Sequence, residues 1–254
     1  MYFHAYEYIY LTYFNAEIIV LDLRKNQYII LSEYVSKIVD LALNNEFLFL
    51  NEQGKYVLVN YNGYCLPEDF DETIKYLQEI GILSKKKYHC PNIRKLKKGE
   101  FSAGAHNVDW RMSSSELSDN VTAKTVLEAY FVLIKVYFIV NMFGFDGLIK
   151  AIKNKGDAHC NEKNAKEFNL LVTALNKACF YFPIRTKCLE WSAALTFMGL
   201  RRKWKCNIEI GVQNLPFAAH AWVKAEERVI ADTQDLPNTL SVILSEPFNN
   251  GVIR

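Results

Sequence analysis

"NLPFAAHAWVKAEERVIAD", residues Asn214 to Asp232, places one of only five histidines among small apolar residues, with an acid twelve positions later. "AHAWVKA" and "RVIAD" read as two strands turning at Glu226 and Glu227, hence an antiparallel pair. A turn around Glu226 sets His220 opposite Asp232 or within one residue of it. Opposed residues have Cβ atoms roughly 5 Å apart, the reach an acid needs to hold an imidazole in one tautomer. A two-residue turn moves the register by one and weakens that geometry; Asp235 then stands as a substitute acid. A lone strand histidine is more often structural than a base, so the reading depends on a nucleophile elsewhere.

Upstream lies "NIEIGV", which alternates Ile208, Ile210 and Val212 as a strand does. Before it, "TKCLEWSAALTFMGLRRKW" has helical spacing. Pro183 cannot sit inside a helix, so the helix begins after it, and Thr186 is the expected N-cap. Cys188 then falls in the first turn, where unpaired backbone N–H groups and the positive dipole end favour an anion. The same N–H groups suit a developing oxyanion.

Cys188, His220 and Asp232 therefore read as nucleophile, base and orienter. Ala218, Ala219 and Ala221 leave room for substrate main chain, and Trp222 packs beneath. Cys206 sits in basic "RRKWKCN", which would favour its thiolate, but it has no placed histidine and reads as structural. Cys65, Cys90, Cys160 and Cys179 show no partner. His4, His89, His106 and His159 read as surface residues.

Three helical stretches precede the strands: about Ala123 to Met142, about Lys163 to Phe180, and the Cys188 helix. Helices followed by an antiparallel sheet make an α+β domain over residues 122–254. "AYFVLIKVYFIV" (Ala129 to Val140) is too short to span a bilayer, carries Lys135, and reads as a buried helix. Residues 84–121 are basic, then polar, and read as a solvated linker.

Residues 1–83 form a separate unit. "AEIIVLDLRKNQYIIL" (Ala16 to Leu31) is a hairpin turning near Arg24 to Asn26. Ser32 caps a helix whose Val35, Ile38, Val39 and Ala42 share a face. "FLFLNEQGKYVLVNY" is a second hairpin, turning at Glu52 to Lys55. Pro67, first-turn acids and Gly81 bracket another helix, with a stripe of Phe70, Ile74, Leu77, Ile80 and Ile82. Strands plus amphipathic helices in this length suggest a small winged-helix-like module.

Composition bounds the rest. The net charge of +2 is too balanced to make nucleic acid or an anionic membrane the main partner. Six scattered cysteines with no CxxC pair point to reduced thiols rather than a disulfide framework or a zinc site. "MYFHAYEYIY" lacks the basic region and apolar run of an export signal. A cytoplasmic protein without a metal or stable membrane insertion is expected.

"KCLEWSAALTFMGLRRK" followed by "IEIGVQNLPFAAHAWVKAEERVIAD" resembles the transglutaminase-like cysteine protease of lasso-peptide biosynthesis, the leader-cleaving B protein. The likeness covers about Thr186 to Leu244 well and the earlier helices loosely. "IIVLDLRKNQYIILSE" and the Pro67 helix are similar to the winged-helix-like leader-recognition module fused to this protease in microcin-type systems. The resemblance implies a papain-like, transglutaminase-like protease with Cys188, His220 and Asp232 as its catalytic residues. It implies removal of the leader from a ribosomally made precursor. An asparagine-synthetase-like cyclase would then close the macrolactam on the freed amine. No bound cofactor is implied, and any ATP dependence enters through that cyclase. The leader would add as a strand along about Gln27 to Leu31, near Tyr28, Ile30, Tyr76 and Ile80. The same trio could instead transfer an acyl group to an amine, or stand silent in a precursor-delivery scaffold.

Overall fold

The computed structural model describes residues 2–43, 48–50, 56–58, 69–86, 121–156, 160–161 and 167–248. These fall into two compact units, one up to Lys86 and one from Val121 to Phe248.

The first unit is strand-rich. Its strands are β1 (Tyr2–Ala5), β2 (Ile9–Phe14), β3 (Glu17–Asp22), β4 (Gln27–Leu31), β5 (Leu48–Leu50), β6 (Tyr56–Leu58) and β7 (Leu83–Lys86). Two helices, α1 (Glu33–Leu43) and α2 (Phe70–Glu79), accompany them. β2, β3 and β4 make one antiparallel sheet, while β1 pairs with β7 and β5 with β6. The expected hairpin is β3–β4. Its turn is fixed by Asp22, whose Oδ1 accepts from the backbone N–H of Arg24 and Lys25 at 2.9 and 3.1 Å.

Ser32 caps α1 by accepting from Val35 N–H. One turn on, the Ser36 hydroxyl accepts from Ile18 N–H at 2.8 Å and donates to the Leu31 carbonyl. It thereby fastens the helix to the last β3–β4 pair, Ile18 and Leu31. At the end of α2, Gly81 is left-handed (φ 82°). The Ile82 and Gly81 N–H groups reach back to the Leu77 and Gln78 carbonyls, closing a Schellman motif. The core gathers Phe3, Ile18, Val20, Ile38, Val39, Phe70, Ile74, Leu77, Ile82 and Leu83.

Three details depart from the sequence reading. Tyr2–Phe14 carries two strands that no clean alternation announced, because β2 is buried on both faces. β7 runs to Lys86, past the boundary expected at residue 83. Pro67, the turn of the second hairpin and residues 87–120 lie outside the described residues.

The second unit is helices followed by sheet, an α+β order. α3 spans Ala123–Lys153, α4 Phe168–Tyr181 and α5 Cys188–Arg201. Strands β8 (Asn207–Gln213), β9 (Ala218–Ala225), β10 (Arg228–Ile230) and β11 (Ser241–Glu246) form one antiparallel sheet ordered β10-β9-β8-β11. A short helix, α6 (Leu236–Thr239), precedes β11. The three long helices pack on one another, and α5 lies against β9 and β8. Arg202 grips Glu128 of α3 through two guanidinium bonds of 3.0 and 2.7 Å.

α3 corrects two expectations. It does not stop at Met142 but continues beyond a break at Gly144, whose φ of 65° only glycine adopts freely. Nor is its apolar run a buried helix. Ala129, Val132, Leu133 and Val136 are buried, whereas Leu127, Phe131, Phe138, Met142 and Phe143 are exposed. The helix is long and apolar enough to cross a membrane, yet only 22% of its most apolar window is buried. Apolar residues surround the whole circumference, so periodicity could not tell the packed face from the open one.

Candidate active site

α5 begins one residue later than expected. Lys187, in extended conformation, is the N-cap, and Cys188 is the first helical residue. The Glu190 carboxylate reaches back to accept from Lys187 N–H at 3.1 Å, half of a capping box. Thr186 does not cap the helix. Its hydroxyl oxygen is buried without a hydrogen-bond partner among the described residues, and burial pushes up the pKa of the Cys179 thiol. Cys188 is half-buried, and its helix start leaves backbone N–H groups without intrahelical acceptors.

Ser192, one turn after Cys188, fixes the nucleophile's helix to the histidine's strand. Its hydroxyl donates to the Ala221 carbonyl at 3.0 Å, beside His220. The sequence signal for it was a serine four residues after the cysteine, which went unused.

His220 is buried on β9, opposite Gly211 of β8. Its Nε2 lies 2.7 Å from Asp232 Oδ2. Cys188 lies close enough to the same ring to help raise its pKa. With Nε2 committed to Asp232, Nδ1 is the nitrogen that can serve the thiol. Burial alone would lower the His220 pKa. The Asp232 bond and the nearness of Cys188, with their charges, outweigh it and push the value up to about 9.

Asp232 arrives by a route that register alone does not supply. The β9–β10 turn has two residues, and the pairs Val223–Ile230, Lys224–Val229 and Ala225–Arg228 put residue 232 level with Ala221. Continued alternation would turn Asp232 to the face opposite His220. Instead the ladder ends at Ile230, and Ala231 takes a left-handed φ of 55°. That one residue brings the carboxylate to the imidazole. Asp232 Oδ1 accepts from Thr233 N–H at 2.8 Å. The Gln234 amide clamps the loop by bonding both the N–H and the carbonyl of Val229. Asp235 is the N-cap residue of α6 and does not substitute.

Trp222 packs over Gly211, where a Cβ would meet the indole at 2.5 Å. Its ring centroid stands 6.1 Å from that of His220. Cys206 is buried, so desolvation raises its pKa and the basic neighbours do not make a thiolate of it. Its sulfur points at the Thr196 carbonyl. His4 is half-buried in β1 rather than on the surface, and His89, His106, His159, Cys65 and Cys90 lie outside the described residues. Among the described residues, no cluster of three His, Cys, Asp or Glu is set to hold a metal ion.

The four residues expected to contact a leader are all in the first unit. Tyr28 and Ile30 lie on β4, an edge of its sheet, and Ile30 is exposed. Tyr76 is exposed on α2, but Ile80 packs against the core and Ile74 is buried within it. The α2 face expected beside the leader is therefore core, apart from Tyr76. Lys25 donates to the Ile80 carbonyl at 3.0 Å, linking the β3–β4 turn to the end of α2.

Residues 131–245 match the family model described as transglutaminase-like superfamily. No curated protein and no solved structure matches the chain. The match begins within α3, ends in β11, and contains Cys188, His220 and Asp232. The helical and sheet elements from residue 131 to 245 thus form a transglutaminase-like domain, a class that suggests cysteine-protease or acyl-transfer chemistry.

Proposed function

We propose that this protein is a leader peptidase. It binds a ribosomally made lasso precursor and hydrolyses the leader–core amide by a Cys-His-Asp mechanism. The observation that carries the reading is the 2.7 Å His220–Asp232 bond on an imidazole whose pKa Cys188, at a helix start, also raises. The likeness of "KCL" and "F-x-AHAWV" to the lasso proteases narrows it from a superfamily to a substrate.

A Cys-His-Asp trio supports these steps. Cys188 sulfur, its proton on His220, attacks the leader's last carbonyl. The oxyanion of the tetrahedral intermediate takes hydrogen bonds from first-turn N–H groups of α5. His220 gives its proton to the departing amine as the C–N bond breaks, leaving a thioester on Cys188. Water, deprotonated by His220, attacks the thioester, releasing the leader carboxylate and regenerating the thiol. Asp232 holds the ring in one tautomer and stabilises its cation. The freed core amine then passes to an asparagine-synthetase-like, ATP-using cyclase.

A separate recognition unit suits this task. A pocket for a few residues discriminates weakly, and tethering the leader elsewhere on the chain raises the local concentration of the scissile bond. Edge strand β4, with Tyr28 and Ile30, is the proposed leader platform, with Tyr76 contributing from α2.

Mass spectrometry of a full leader–core precursor incubated with the protein and with Cys188→Ala tests the reading. One cut at the leader–core junction, absent in the variant, is expected. A product carrying an added amine would establish acyl transfer instead. Processing that survives Cys188→Ala would overturn the catalytic assignment and leave a delivery scaffold.

A further inference from the structure

We infer that Glu209 is a positioning residue for the proposed base, acting through Trp222. The inference rests on the peptidase reading for its kinetic consequence but not for its physical one.

Glu209 faces Trp222 across the β8–β9 ladder, one pair along from Gly211 and His220. Asn207, Glu209, Gly211 and Gln213 alternate onto the same side of the sheet as Lys224, Trp222, His220 and Ala218. On that side Glu209 Oε2 accepts from the Trp222 indole N–H at 2.9 Å. Oε1 accepts from the Ser245 hydroxyl of β11 at 3.0 Å. Asn207 donates to the same Ser245 oxygen at 3.0 Å. A polar row therefore crosses three strands and ends on the indole.

The indole is well placed to pass this constraint on. It fills the space left by Gly211, the cross-strand partner of His220, and packs with Val229, Leu236 and Leu240. Val229 and Leu236 bracket the loop that carries Asp232. One plate thus lies beside the imidazole and beneath the segment delivering its acid. Rotation of the indole would loosen both at once, and Glu209 fixes its angle in the sheet plane.

A carboxylate is a costly way to hold an indole. Glu209 is 6% exposed, and burial raises its pKa against the opposing pull of Lys224 and its two hydrogen bonds. An apolar residue would serve packing alone at lower desolvation cost. A hydrogen-bond acceptor in one direction is what an apolar residue cannot supply.

The test uses the full chain with labelled histidine, reading the His220 titration by NMR in Glu209→Met, in Trp222→Phe and in the double variant. In either single variant the His220 midpoint falls by about one pH unit, because the Asp232 bond that raises it is loosened. The double variant shifts no further, since both changes break the same link. If the peptidase reading holds, kcat falls about tenfold with KM unchanged. A His220 midpoint unchanged in both single variants, with loss confined to melting temperature, overturns the inference and leaves Glu209 a structural residue. Should Glu209→Met fail to fold, Trp222→Phe carries the same expectation, because it keeps an aromatic side chain and removes the indole donor. A wild-type protein that cuts no precursor defeats the peptidase reading, while the titration still decides the role of Glu209.

Discussion

Strand β3 and the β8–β9 ladder are both deeply buried, but they bury different chemistry. Ile18, Ile19, Val20 and Leu21 run fully buried along β3. Asn207, Glu209, Gln213 and His220 are buried along β8 and β9. The first run follows from the hydrophobic effect, with the buried acid at its end, Asp22, spent on the β3–β4 turn. The second pays a desolvation cost that packing cannot return, so its polar groups must be paired and directed. The lesson is where to look for function: not in the most buried sheet, but in the one whose burial is expensive.

The sharpest way to break that contrast is Asp232→Asn. It leaves the shape intact but supplies a neutral group that cannot stabilise the imidazolium. Turnover of the precursor is expected to fall about a thousandfold or more. The same variant tests the pH dependence of stability. His220 is raised above its unfolded value to about 9, so its charged form stabilises the fold. That contribution is complete below about pH 6.5 and is lost as pH rises through about 9. Urea midpoints at about pH 6 and about pH 9.5 should differ in the wild type and converge in Asp232→Asn. Equal slopes in the two proteins would remove Asp232 as the cause.

Ile38→Ala probes the inexpensive side. Ile38 is fully buried in the first unit's core, and its truncation should cost about 2–5 kcal/mol. The alkylation rate of Cys188 should not change, since that residue belongs to the other unit. Gly211→Ala, by contrast, adds one methyl to the ladder. Its Cβ would meet the Trp222 ring at 2.5 Å and Leu240 Cβ at 2.7 Å. A loss of about 1–3 kcal/mol is expected, along with a changed indole fluorescence. Unchanged fluorescence would show that Trp222 is not held over Gly211. The smallest effect belongs to Ala231→Gly. Glycine relieves the left-handed strain at φ 55° but adds freedom to the unfolded chain. The two nearly cancel, so calorimetry should register less than about 1 kcal/mol either way.

The same contrast explains what the sequence disclosed. Hairpin β3–β4, the α2 stripe and Gly81, and the strands of β8 and β9 were legible because turn residues bracket them and their apolar residues recur at one period. β2 and the exposed face of α3 were not, since apolar residues on all sides erase the period. His220 stood out for its apolar surroundings and Cys188 for its place at the start of a helix. Asp232 was found by an estimate of register whose error, one residue, Ala231 corrects. Glu209 was invisible, because a glutamate in an alternating strand reads as a solvent-facing position until a third strand covers it. Thr186 is not the cap because the cap stands one residue later, at Lys187, and a threonine one place further upstream of a helix looks the same in sequence.

The left-handed Ala231 gives the hairpin a parity. A two-faced ladder can only count modulo two, and the base and the acid stand an even number of residues apart across a turn of even length. Without an inversion they would sit on opposite sides. One alanine supplies the missing half-step, after the last ladder pair and before the acid. A single-residue insertion in the Glu226–Glu227 turn would exchange the faces of Val229 and Ile230 as well, disturbing the packing against Trp222. An equivalent change at Ala231 alters the acid alone. Evolution of this site therefore has a narrow place in which to gain or lose an orienting carboxylate while the sheet stays as it is.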